Sequence, residues 1–221
     1  MRYITKEDRE TLTSINMICN IAGDRESVYQ NLYKNYKERP MDATSAFAFG
    51  FYNFLIASKN KSSTIGSERI EMIFNAYNDA LTVVPDYWLV LMFKSVLLLS
   101  LPEVLRNDDE LIKTIHEMVE HQKKVKSQPY FMIPYIIYAD FLFATSNREF
   151  VFDVMEEAKR EVVISEVNDP ILLPYFRMPF KDFLKRLLKS NEFELASEIK
   201  SIGKRMFPLE KIFLESTLTY E

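Results

Sequence analysis

Five prolines recur along this chain, Pro40, Pro85, Pro129, Pro170 and Pro208, and each precedes or opens an apolar segment. Their intervals shorten gradually, from 45 residues at the start to 38 at the end. A fixed period in this range predicts stacked helix pairs, in which no unit buries its apolar face alone.

The spacing of apolar residues agrees. Tyr29, Leu32, Tyr33 and Tyr36 form one helical stripe, and Ile70, Ile73, Phe74, Tyr77, Leu81 and Val84 form a longer one. Leu111, Ile115, Met118 and Gln122 repeat the pattern, flanked by Ile112 and Val119. Further stripes run through Val151, Val154, Met155, Ala158 and Val162, and through Leu195, Ile199, Ile202 and Met206. Charge lies on the opposite faces, as surface helices require. Three other segments, 44–57, 87–100 and 130–145, are apolar almost all round, so they are expected to be enclosed. With only four glycines and no run alternating between apolar and polar, an all-α fold of about five antiparallel pairs is predicted. Amphipathic helices would form the outer layer and apolar helices the inner one.

Helix starts are expected at the Thr5–Asp8 pair and at Asp24, Asp42, Ser67, Asp86 and Asn107. Residues 59–67 read as a polar loop, and Pro170, Pro174 and Pro179 predict an irregular stretch. No linker is long enough to divide domains, so residues 1–221 are expected to form a single helical-repeat domain.

These residues resemble a divergent tetratricopeptide-repeat-type array, best matched over about residues 24–145. In that family a small residue follows the proline by about ten positions, as Gly50, Ser95 and Ala139 do here. Another precedes it by five, which Ala80 and Gly203 satisfy and Asn35 and Lys124 do not. The match is densest from Ala76 to Leu81, followed by Pro85 and the aromatic pair Tyr87 and Trp88. The period is longer than the family's 34 residues, and position 180 holds Phe180 where a small residue is expected. The resemblance implies a right-handed α-solenoid whose first helices line a concave face that binds a peptide or helix of a partner protein. The inward positions would be Phe47, Phe51, Phe54, Met92, Val96, Ile136, Asp140 and Phe143. The alternative is that these side chains are closed core.

Charge and cysteine content narrow the setting. A net charge of −4 gives no overall attraction to nucleic acid or anionic lipid, and the basic stretch from Arg177 to Arg205 reads as solvated helix faces. Cys19 is the sole cysteine, which excludes an internal disulfide and suits a reducing compartment. Met1 to Asp8 turns acidic at once, without the apolar stretch of a signal peptide. Residues 87–101 are interrupted by Lys94, Ser95 and Ser100 and read as a buried helix, not a membrane span. A cytoplasmic location is expected.

No residue pattern points to catalysis, a cofactor or a metal. His116 and His121 are five apart and diverge by about 140° on a helix, unlike the four-residue spacing of a zinc-protease motif. Asp108, Asp109 and Glu110 open a helix, where its dipole favours carboxylates. Cys19 sits in an apolar stretch and reads as a packed thiol. Lys94 and Asp140 stand out because each interrupts an apolar helix. Two arrangements are open for them: a buried pair with each other, or a groove in which they fix a ligand's polar group. The expected function is a non-enzymatic interaction module binding another protein or peptide. A cytoplasmic immunity or inhibitor protein with one dedicated partner is one alternative. An all-α enzyme or lipid-binding protein with an apolar cavity is the other.

Overall fold

Thr5 and Asp8 begin the first helix with a reciprocal pair of hydrogen bonds. The Thr5 N–H donates to Asp8 Oδ2 at 2.7 Å, and the Asp8 N–H donates to Thr5 Oγ1 at 3.1 Å. Two of the helix's unpaired donors are thereby satisfied. Asp42 does the same for the third helix, accepting from the Thr44 N–H at 3.0 Å and the Ser45 hydroxyl at 2.6 Å. Asn107 accepts from the Glu110 N–H at 3.1 Å. Asp86 lies one residue too early: Tyr87 occupies the cap position and makes no side-chain cap bond. Asp24 and loop residues 60–66 lie outside the described residues.

The computed structural model describes residues 4–20, 25–59, 67–145 and 147–214. They form eleven α-helices and no β-strand. In order these are α1 (Lys6–Asn20), α2 (Arg25–Glu38), α3 (Ala43–Lys59), α4 (Ser67–Val83), α5 (Trp88–Ser100) and α6 (Asp108–Gln122). They continue with α7 (Met132–Ala144), α8 (Val151–Glu161), α9 (Leu173–Lys189), α10 (Phe193–Met206) and α11 (Lys211–Leu214). Single 3-10 turns precede α6, α7 and α8. The helices gather into two compact units, residues 1–102 and 103–221.

In the first unit α3 is the hub, packed against α1, α2, α4 and α5. Its apolar side chains point in every direction, and each neighbour covers one of them. Tyr29, Tyr33 and Tyr36 of α2 meet the Phe49 ring, while Phe51 and Phe54 meet Phe93 of α5. The second unit repeats this plan around α7, which packs against α6, α8 and α9. A pair of helices, α9 and α10, then carries α11.

The proline-rich stretch is more regular than its sequence suggests, because α9 begins at Leu173 and continues through Pro179. Pro174 lies in the first turn, where a missing N–H costs nothing. Pro179 forfeits one helical hydrogen bond. Six further buried residues, from Tyr175 to Leu187, hold the helix in place. The non-helical segment is thereby confined to residues 162–172, where Asp169 Oδ1 accepts from the Ile171 and Leu172 N–H groups.

Gly50 marks the closest approach of α3 to α4. A Cβ at this position would lie 2.7 Å from Tyr77 Cε1 and 3.2 Å from Ala76 Cβ. Tyr77 is fully buried, so its ring has nowhere to retreat. Gly50→Ala is expected to lower stability by about 1–3 kcal/mol in urea denaturation, because overpacking outweighs the helix propensity gained. An unchanged or raised midpoint would show that the α3–α4 contact is looser than described.

Candidate functional site

The side chains singled out as a groove wall are mostly enclosed. Phe47, Phe51 and Met92 are fully buried, Phe54 is 7% exposed, and Val96 is half-buried. Phe47 and Phe51 pack on each other and on Phe93. In α7, Ile136 is fully buried and Phe143 packs edge-on against Phe183 of α9. All of them but Val96 are buried.

Lys94 and Asp140 each have a polar partner within their own unit. The Lys94 ammonium donates to Asn78 Oδ1 at 2.8 Å, across the α4–α5 contact. Asp140, 2% exposed, faces Arg186 of α9. Arg186 Nε lies 2.7 Å from Asp140 Oδ1 without hydrogen-bond geometry, and an Arg186 terminal nitrogen donates to Oδ2 at 3.5 Å. The contact is thus an ion pair with one poorly satisfied carboxylate oxygen. Burial pushes the Asp140 carboxyl up to about 6, although Arg186 pulls the other way. The negative charge of Asp182 adds to the rise, and Arg106 opposes it.

One accessible feature of the second unit is a cleft of about 1270 Å³ on another face of α7. Tyr138, Phe141, Leu142 and Thr145 contribute from α7 and its C-terminal cap. They recur at helical spacing and make an apolar floor with a polar edge. Ile112 and Asp108 line it from α6, while Asp153, Val154 and Glu157 line it from α8. Phe150, 51% exposed, stands at its mouth. A smaller hollow of about 320 Å³ shares Tyr138, Val154 and Glu157 and reaches Ile115 and Val119. Lys123, just past α6, bridges to Glu157 of α8 at 3.2 Å, a hydrogen bond that raises the lysine pKa.

Two arginines border the cleft differently. The Arg148 guanidinium covers the Phe143 ring at 4.4 Å, donates from Nε to the Phe143 carbonyl at 3.1 Å, and reaches Glu192 at 3.7 Å. Its charge is engaged beside α10. Arg160 lies on the α8 wall. Arg106, its side chain 7% exposed, packs over the Phe141 ring at 5.3 Å and holds Asp108 at 2.5 Å. The guanidinium thereby restrains the Phe141 ring.

Sequence reasoning passed over these cleft residues for a physical reason. An all-apolar helix such as α7 gives no sign of where a cleft lies beside it. The clue that was present lies in the walls, where α6 and α8 are strongly amphipathic beside it.

Other candidate groups have structural surroundings. His116 is exposed and packs edge-on against Tyr138. Cys19 is buried, which raises its thiol pKa, and its carbonyl accepts from the Lys59 ammonium at 3.1 Å. Among the described residues, no group of three or more His, Cys, Asp or Glu side chains is placed to hold a metal ion. Among them also, no helix is long and apolar enough to cross a membrane. Comparison with protein-family models, curated proteins and solved structures finds no match to this chain.

The Asp140 carboxyl binds its proton more tightly in the folded chain than in the unfolded one. Its contribution to stability is therefore fully present below about pH 4 and is lost as the pH rises through about 6. Asp140→Asn removes this titration. The stability of the native sequence minus that of the variant is expected to fall by up to about 3 kcal/mol between about pH 4 and pH 7. Denaturation midpoints of both proteins across that range measure it. A constant difference would mean that Asp140 stays ionised throughout.

Proposed function

We propose that this chain is a non-enzymatic protein-interaction module, an adaptor or regulator that seats a segment of a partner polypeptide in the α6–α7–α8 cleft. The cleft's size and openness carry the reading. Drug-sized ligands fit enclosed pockets of roughly 300–1,000 Å³, whereas this cleft is larger, open and bordered by charge. An apolar floor with a polar rim is the usual anatomy of a protein interface, and an exposed aromatic such as Phe150 is the usual kind of anchor.

The setting we propose is a divergent tetratricopeptide-like array of right-handed stacked pairs in the cytoplasm. Packing of helices mainly on their sequence neighbours supports the array, as does the close approach at Gly50. The single reduced thiol, buried in the first unit, supports a reducing compartment.

Selection of displayed peptides on the purified full chain tests this reading. Enriched peptides are expected to lose at least tenfold in affinity to Phe150→Ala, a substitution at an exposed position that leaves the core intact. Lys204→Ala, on the exposed face of α10, is expected to change nothing. Failure to enrich any peptide, or enrichment of peptides indifferent to Phe150, would count against the reading.

A further inference from the structure

We infer that the cleft's partner segment is a basic amphipathic α-helix; this rests on the reading of the cleft as a polypeptide-binding site. Charge is the first observation. The wall helix α6 carries Asp108, Asp109, Glu110, Glu117 and Glu120 against Lys113. The wall helix α8 carries Asp153, Glu156, Glu157 and Glu161 against Lys159 and Arg160. The two walls together hold an excess of six negative charges, more than the −4 of the whole chain. The rest of the protein is therefore slightly basic, and the residues that line the cleft itself carry four carboxylates, Glu103, Asp108, Asp153 and Glu157, against Arg148 and Arg160. Such a field draws in a cationic partner and repels an anionic one.

Several of these carboxylates have internal cations. Asp108 is held by Arg106, Glu157 by Lys123, Glu117 by Lys113, and Glu156 by Lys159. Glu103, just before α6, and Asp153 of α8 both line the cleft from exposed positions. They are placed to meet cations of a segment lying over Tyr138, Phe141 and Leu142. Arg148 offsets them only in part, because its guanidinium is held against the Phe143 ring and reaches Glu192 outside the cleft lining. Arg160 is the local exception on the α8 wall.

Backbone conformation follows from the fold. The described residues contain no β-strand and so no sheet edge for an extended peptide to join. A helix in a groove, its apolar side chains at i, i+3, i+4 and i+7 facing the floor, suits a surface whose walls are themselves helices. A helix lying between α6 and α8 would cover α7 much as α9 covers its other side.

Three synthetic helical peptides test the inference, identical in their leucine-rich face and carrying lysine, glutamine or glutamate on the other. Binding to the full chain is read by fluorescence anisotropy. The lysine peptide is expected to bind at least tenfold more tightly than the glutamate peptide and to weaken as salt rises. Glu103→Lys combined with Asp153→Lys is expected to shrink that preference severalfold, and Phe150→Ala to weaken the lysine peptide. Equal binding of all three peptides would overturn the charge assignment and leave the cleft reading standing. Lysine-peptide binding indifferent to Phe150→Ala would reveal non-specific attraction and overturn the inference. Failure of all three, alongside displayed peptides that depend on Phe150, would overturn the helical basic partner alone. Failure of both sets would overturn the cleft reading as well.

Discussion

The enclosure of α3 and α7 is the constraint from which the rest of the architecture follows. Twelve of the seventeen α3 residues are buried, and eleven of the thirteen in α7. Burying a Phe, Leu or Ile side chain contributes roughly 1.5–3 kcal/mol relative to leaving it in water, so neither helix can leave a long side bare. Each therefore needs several amphipathic neighbours, and each neighbour has one apolar stripe to offer. For α3 these are α1, α2 and α4, joined by α5; for α7 they are α6, α8 and α9. The cleft lies where α6, α7 and α8 meet, and of the α7 residues that line it Tyr138 and Ala144 keep some exposure while Phe141 and Leu142 are buried.

Polar contacts within the units select one packing among many. Tyr36 donates to Asp79 at 2.5 Å, linking α2 to α4. Burial and that carboxylate together raise the Tyr36 hydroxyl pKa far above its ordinary value. The Tyr87 hydroxyl donates to Asp8, whose second oxygen caps α1. The Gln122 side chain donates to the Phe131 carbonyl at 3.0 Å and holds the turn before α7. Each such bond adds only about 1 kcal/mol, but a shifted register strands a buried donor or acceptor at about 1–3 kcal/mol. Apolar burial drives collapse, and these pairs decide which helix turn faces which.

Much of this was legible because local chemistry sets helix boundaries. The capping pair Thr5 and Asp8, the caps Asp42 and Asn107, and the small residue Gly50 all act within a few residues or at one contact. Apolar periodicity likewise identified the buried faces of α6, α8 and α10, because a stripe defines its own direction, whereas in α4 only Ile73 and Tyr77 of the predicted stripe are buried. What escaped was information held in pairs distant in sequence. Asp140 signalled that it needed a partner, but Arg186, 46 residues away, resembled any surface arginine. Lys94 found Asn78, a neutral residue on a face that looked solvated. The cleft beside α7 escaped for a related reason: an all-apolar helix encodes burial without direction, so only its neighbours define where the cleft lies.

Net charge was the least informative number in the sequence, because its sign and size conceal a separation between helices. The basic run from Arg177 to Arg205 read as solvated faces, yet part of it is engaged inside the second unit. Arg177 and Lys181 of α9 converge on Glu210, and Arg186 turns to Asp140. Glu210 is only 14% exposed in its side chain, and its hydrogen bonds to these cations hold its pKa below the ordinary carboxylate value despite the burial. Cations spent on such contacts contribute little to an external field. The carboxylates of α6 and α8 lie mainly on solvent-facing sides, where they contribute to the external field. Local placement, rather than a chain total of −4, therefore governs the field that each surface presents.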